Sequence, residues 1–408
     1  MLGSFHTLMN LLGAIGTLMH DTGLASILEK IYGGNVVKLI LTGKSVQRAI
    51  RGHLLLEKCL NGMLVSEIMD QDSEFADLVN ECEETYTTLL EGKQASRSDL
   101  SDKKVKVKQK LEERKRGLAE RSRTSKLWLT YMKMVKVARM LILADRLGSW
   151  SRHLSAVGEC LSIFGAAGHF NYLKSAYMYL QNMSNLETRN PEVFRKFQEG
   201  FHVIRRTEQC CAGLGADLVI EQTLMRSLKS TGGLIRGSGM TEEQRTLWTM
   251  SSPVCSEYNI ALQDFNHHAF TTSEQHKDST EARMTRDHLD LRKLEERVQT
   301  YNPFSADDES FRNIVTGVEA TQNVNVDDLF VVGQRMVDKL VGQLAFTWSF
   351  KRKDKAKTLG DAHAVKISTE ESIDTALLFQ RLIVISKAGD LSLGDVLEFE
   401  LGPTPFAF

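Results

Sequence analysis

Asp217 and Glu221 stand four residues apart in "GLGADLVIEQTLMRSLKSTGGLIRGSG". On a helix that spacing stacks the two carboxylates on one face, one turn apart. Carboxylates so paired can hold a divalent metal beside a phosphate. Arg226 and Lys229 follow within two turns, and Arg236 sits among the glycines of the exit, where each could meet phosphate oxygens. A plainer account needs no chemistry: Asp217 as a helix N-terminal cap and Glu221 as an ordinary paired acid. The exit is not a Walker loop, because no Gly-Lys-Ser/Thr follows at the right spacing, and the chain has no HExxH, Cys/His zinc spacing or GxSxG elbow.

A second constellation is the run "KKVKVKQKLEERKRGLAERSRTSK". It supplies Lys103, Lys104, Lys106, Lys108, Lys110, Arg114, Lys115 and Arg116, then Arg121, Arg123 and Lys126, against only Asp102, Glu112, Glu113 and Glu120. A local excess of this size attracts a polyanion in a salt-dependent way. No aromatic residue interleaves for base stacking, and a solvated helix face is the commoner explanation. The histidines are scattered; His6 in an apolar segment and His169 beside aromatics read as hydrogen-bonded core residues rather than ligands.

The elements that must carry these residues read as mainly α-helical. Five prolines in 408 residues leave room for long helices. Apolar residues near helical spacing mark a helix after Lys44 and another over 75–90, with "GKQASRSDLSD" as an exposed turn. The basic run continues into "LWLTYMKMVKVARMLILADRLGSW", so one long helix is expected up to a stop at Gly148. Helices are expected at about 151–163 and 168–187, with Pro191 opening a further short one. "FHVIRRT" is the best strand candidate. Then come a helix from Asp217 to about Lys229, one started by a Thr241 cap (241–250), another at 254–266, and a long polar helix closed by Pro303. Two more are expected at about 325–347 and 370–387, around the charged loop "KRKDKAK". This divides the chain into an N-terminal helical segment (1–95), a long basic helix (96–146), a central helical core carrying Asp217 and Glu221 (147–270) and a C-terminal helical region (271–408).

The bulk numbers set limits. A net charge of −1 argues against a nucleic-acid surface spread over the whole protein and leaves room for a local patch. Six cysteines without a CxxC pair point to a reduced, intracellular chain without a structural zinc. The apolar start, "MLGSFHTLMNLLGAIGTLMHDTGL", lacks a basic leader and is too short and glycine-broken to cross a membrane, so it is expected to be buried protein.

Five stretches carry a resemblance: "GSFHTLMNLLGAIGTLM", "LTGKSVQRAIRGHLL", "FGAAGHFNYLKSAYMYLQNM", "GADLVIEQTLMRSLKSTGGLIRGSGM" and "YNPFSADDESFRNIVTGV". In this order they resemble a multi-copy animal protein family, often found beside Tesmin/TSO1-like cysteine-rich (CXC) domains and of transposon descent. The resemblance implies a remnant of an RNase H-like, DDE-type transposase core with a large helical insertion. In such a core "DLVIEQ" would supply the last acid of the metal-binding triad, with Glu221 as that acid, Asp217 as a helper and Mg²⁺ or Mn²⁺ as the cofactor. The sequence departs from the pattern twice. The strand bearing the first acid would lie upstream of Met1, and the segment before "AGL" reads "RRTEQCC", with Glu208 and the Cys210–Cys211 pair. The expectation is a catalytically incomplete chain with no resident cofactor, binding DNA or another protein, in the nucleus if it binds DNA. Two alternatives are a nuclease fragment whose first acid lies upstream and a helical adaptor without a nucleic-acid role.

Overall fold

The computed structural model describes residues 3–91, 96–205, 210–221, 241–265, 280–304, 311–341, 351–362, 364–366 and 372–374. The chain is mainly α. Its helices are α1 (Ser4–Leu18), α2 (Leu24–Leu28), α3 (Gly34–Leu41), α4 (Val46–Gln71), α5 (Ser73–Leu90), α6 (Arg97–Arg121), α7 (Arg123–Leu147), α8 (Trp150–Ala167), α9 (Phe170–Ser184), α10 (Leu186–Arg189), α11 (Pro191–Gln198), α12 (Ala216–Ile220), α13 (Glu242–Phe265), α14 (Glu281–Thr300) and α15 (Leu329–Val341). Strands are few: β1 (Val203–Arg205) pairs antiparallel with β2 (Gly213–Gly215), and β3 (Ala364–Lys366) with β4 (Ser372–Asp374). Among the described residues, no helix is long and apolar enough to cross a membrane.

The centre is built by α1, α7 and α8. Leu11, Leu12, Ile15 and Leu18 of α1 are fully buried, as the apolar start of the chain predicts. Beside them α7 buries Trp128 and Tyr131, and the Tyr131 hydroxyl meets His53 Nδ1 of α4 at 2.9 Å. One hydrophobic core runs through residues from Leu8 to Leu359, so the four sequence segments share a single interior.

Helices α8 and α15 pack tightly, and a glycine allows it. A Cβ at Gly333 would lie 1.8 Å from the backbone carbonyl oxygen of Ser162. Gly333→Ala is therefore expected to push α15 off α8, loosening Met336, Val337 and Leu340. Overpacking of this kind costs about 3 kcal/mol, which thermal unfolding will read directly; an unchanged Tm would show that the pair can slide.

Three element boundaries differ from the sequence expectation. The long basic helix is two helices, because Ser122 adopts extended backbone and its hydroxyl accepts the Ser125 N–H as the cap of α7. Serine competes well with a continuing helix because it can satisfy an orphan N–H of the next one. The expected 241–250 and 254–266 pair is one helix, α13, running through Pro253; an interior proline removes one bond and can kink a helix without ending it. Its start is as expected, a reciprocal box in which Gln244 N–H donates to Thr241 Oγ1 and Thr241 N–H donates to Gln244 Oε1. Third, the helix expected at 325–347 begins only at Leu329, after a 3-10 turn over Val326–Asp328. The helix expected at 370–387 lies outside the described residues except at 372–374, which form β4.

Candidate functional site

The α1 N-terminus has no cap of its own: Gly3 precedes it, leaving the first N–H groups to find acceptors elsewhere. Asp217 supplies them from the first turn of α12. Its Oδ1 accepts the Phe5 N–H at 3.1 Å, and its Oδ2 accepts the His6 N–H at 3.0 Å. The His6 ring closes the arrangement, with Nδ1 3.0 Å from Asp217 Oδ2 and Nε2 3.7 Å from Glu221 Oε1. Asp217 is thus a helix cap, but of a helix 211 residues away rather than of its own. A carboxylate at a helix N-terminus gains from both the orphan N–H groups and the macrodipole.

Behind this clasp lies a buried annex that sequence reasoning missed. Asp145, in the last turn of α7, faces the α1 start, where Ser4 hydrogen-bonds its carboxyl. A Cβ on Gly215 would sit 2.2 Å from Ser4 Oγ, 3.1 Å from Asp217 Oδ1 and 3.2 Å from Asp145 Oδ2, so both acids close on the one residue that leaves them room. Asp145 Oδ1 lies 3.8 Å from His153 Nδ1, while His153 Nε2 meets the Tyr179 hydroxyl at 3.0 Å. Burial dominates the electrostatics: it pushes Asp145 up to about 6, holds His153 down at about 4, and raises the Tyr179 hydroxyl. One signal was readable in advance. An acid in the last turn of a helix opposes the macrodipole and calls for a partner outside the helix.

These groups do not fit a two-metal nuclease centre. Both Asp217 oxygens already accept N–H bonds from α1, and Asp145 is buried and held by Ser4. Among the described residues, no three His, Cys, Asp or Glu side chains are placed to hold a metal ion. Asp217→Ala should therefore act on stability: it strips two charge-assisted bonds from α1, a loss of about 2–3 kcal/mol, measurable by urea unfolding. Asp217→Asn should retain part of it, and wild-type stability in the alanine variant would show the clasp to be idle.

The basic run is met by its own partner helix. On α6 ten Lys and Arg stand with five Asp and Glu; α5 carries five acids and no base, so the pair has no net charge. Lys110 bridges Asp72 and Glu74 at 3.1 and 3.0 Å, Lys103 lies 3.4 Å from Glu81, and Arg114 pairs with Glu67 at the end of α4. Lys115 turns to Glu112, and Lys104 stacks over the Tyr86 ring. Lys106, Lys108 and Arg116 remain exposed. Arg226, Lys229 and Arg236, like Glu208, lie outside the described residues.

A mainly helical protein with a capped-acid clasp and a charge-balanced helical hairpin is the class these features define. The chain belongs to the family described as a domain of unknown function, DUF8702, whose profile matches residues 1–400. No curated protein and no solved structure matches it.

Proposed function

We propose that this chain is a catalytically incomplete, transposon-derived protein that acts by binding another protein. The transposon descent rests on the five resembling stretches, and the loss of catalysis on the engagement of Asp217 with the α1 N-terminus. The binding role rests on one observation, an exposed apolar stripe among the described residues of α13. Leu247, Met250, Val254, Tyr258 and Phe265 are each two-thirds or more exposed. With Ala261, they fall within an arc of roughly 80° at about 100° per residue. Such a stripe is the half of a helix–helix seam that a partner helix completes.

Charge selects the partner. Glu242, Glu243, Glu257 and Asp264 of α13 outnumber Arg245, so two copies of this helix would repel. The fitting occupant is an amphipathic helix of a different protein, apolar along one seam and flanked by Lys or Arg. DNA is the weaker candidate, because α5 neutralises the run that would hold it.

The probe is a labelled synthetic helical peptide with leucines at 3–4 spacing and flanking lysines, followed by fluorescence anisotropy. Binding should weaken about tenfold or more in Val254→Asp/Tyr258→Asp, with melting unchanged because both side chains are exposed. Equal affinity in that variant, or no binding, would sink the proposal. Duplex binding that falls steeply with salt and is lost in Lys106→Gln/Lys108→Gln would restore the DNA reading.

A further inference from the structure

The loop "KRKDKAK" is the one charged motif of the sequence that the clasp, the hairpin and α13 leave unused. It is anchored along its length. The Ala356 N–H donates to the Ala166 carbonyl at the end of α8, at 2.8 Å. Lys357 donates its N–H to Asn325 Oδ1 at 2.8 Å, and the Asn325 N–H returns to the Lys357 carbonyl at 3.1 Å. Thr358 then closes a turn on Asp361 through both its N–H and its hydroxyl. Ala356, Thr358 and Leu359 are buried, and Lys353 and Lys357 are exposed.

Lys353, Lys355 and Lys357 alternate along this segment and line a cavity of about 430 Å³ together with Thr321, Asn323 and Val324. Among the described residues the lining has one acid, Asp361, which is already engaged by Thr358 and lies 3.4 Å from Lys355 Nζ. Three ammonium groups against one carboxylate leave a cationic pocket, and Thr321 and Asn323 add neutral hydrogen-bonding groups. Its size suits a small ligand rather than a duplex. Among the described residues no aromatic ring lines it for a base to stack on.

We propose that this pocket binds the diphosphate or triphosphate group of a small ligand, with Lys353, Lys355 and Lys357 meeting its oxygens. A nucleotide and a free polyphosphate share that chemistry. The test is calorimetric titration of the full chain with inorganic pyrophosphate, ATP and adenosine, beside the variants Lys353→Gln/Lys357→Gln and Lys351→Gln. Lys351 is exposed on the same loop and does not line the cavity. Pyrophosphate and ATP should bind, adenosine should not, and both affinities should fall about tenfold or more in the double variant alone. Tighter binding of ATP than of pyrophosphate would identify a nucleotide; equal binding would identify the polyphosphate group by itself. No pyrophosphate binding at millimolar concentration, binding of adenosine, or equal affinity in the double variant would overturn the assignment.

Discussion

Between pH 7 and pH 4 three buried groups, His53, His153 and Asp145, are together expected to remove on the order of 3 kcal/mol of folding stability, the residue of larger opposing contributions. His53 is buried against Tyr131 and His153 against Tyr179, and burial holds each near 4. In the unfolded chain a histidine takes its proton near 6.5. The stabilisation is therefore complete above that pH and drains away as the pH falls toward 4, about 3 kcal/mol for each ring. Asp145 works the other way. Its folded value of about 6 lies above that of the unfolded chain, so the native state takes the proton first and regains about 3 kcal/mol over much the same window. Asp145→Asn follows as an unusual variant. It should be about 3 kcal/mol more stable than wild type at pH 7 and lose about 6 on acidification, because an amide still accepts the Ser4 bond without burying a charge. Urea unfolding at pH 7, 5.5 and 4 will show it. A variant with the wild-type pH profile would mean that Asp145 is ionised and solvated in the native protein.

Arg51→Met is expected to cost about 3–5 kcal/mol, the usual penalty for orphaning a buried charge. The guanidinium of α4 reaches across to α14, 2.8 Å from Asp290 Oδ2 and 2.6 Å from Asp287 Oδ1. Arg51 and Asp290 are both nearly buried; Asp290 also has Lys293, more than half exposed, at 3.4 Å, and Asp287 has Arg283 at 3.7 Å. The double variant Arg51→Met/Asp290→Leu separates two accounts of the loss. If the cost comes from the abandoned carboxylate, the second substitution should restore most of the stability; if it comes from lost packing of the arginine stem, the double variant should be no better.

The legible parts of this protein were those written in local signals. Helical spacing in 44–70, Pro191 at a first turn, Thr241 as a cap, and the β-branched "HVIR" each state their own structure within a few residues. Ser122 was not legible, because helix formers on both sides outweigh one serine until its capping bond is seen. Strand β2 is Gly-Leu-Gly, which has no strand propensity; it pairs because the chain must pass beside Asp145 and Asp217 with no side chain in the way. The site was half legible. The spacing offered Asp217 as a cap and Glu221 as a paired acid, but the helix that Asp217 caps and the ring that both acids approach, His6, lie over two hundred residues earlier. The basic run shows the same limit: its acidic counterweight is the preceding helix, and only the fold shows the two lying together.

The Asp217 clasp also carries a cost in time. During synthesis α1 leaves the ribosome long before its cap exists, and at about 5–20 residues per second the 211 intervening residues take roughly 10–40 s. Its partners α7 and α8 come late as well. Until α7 and α8 emerge, Leu11, Leu12, Ile15 and Leu18 have only α3 and α4 to pack against, and a nascent chain with such a segment is a natural client for a chaperone that shields apolar helices.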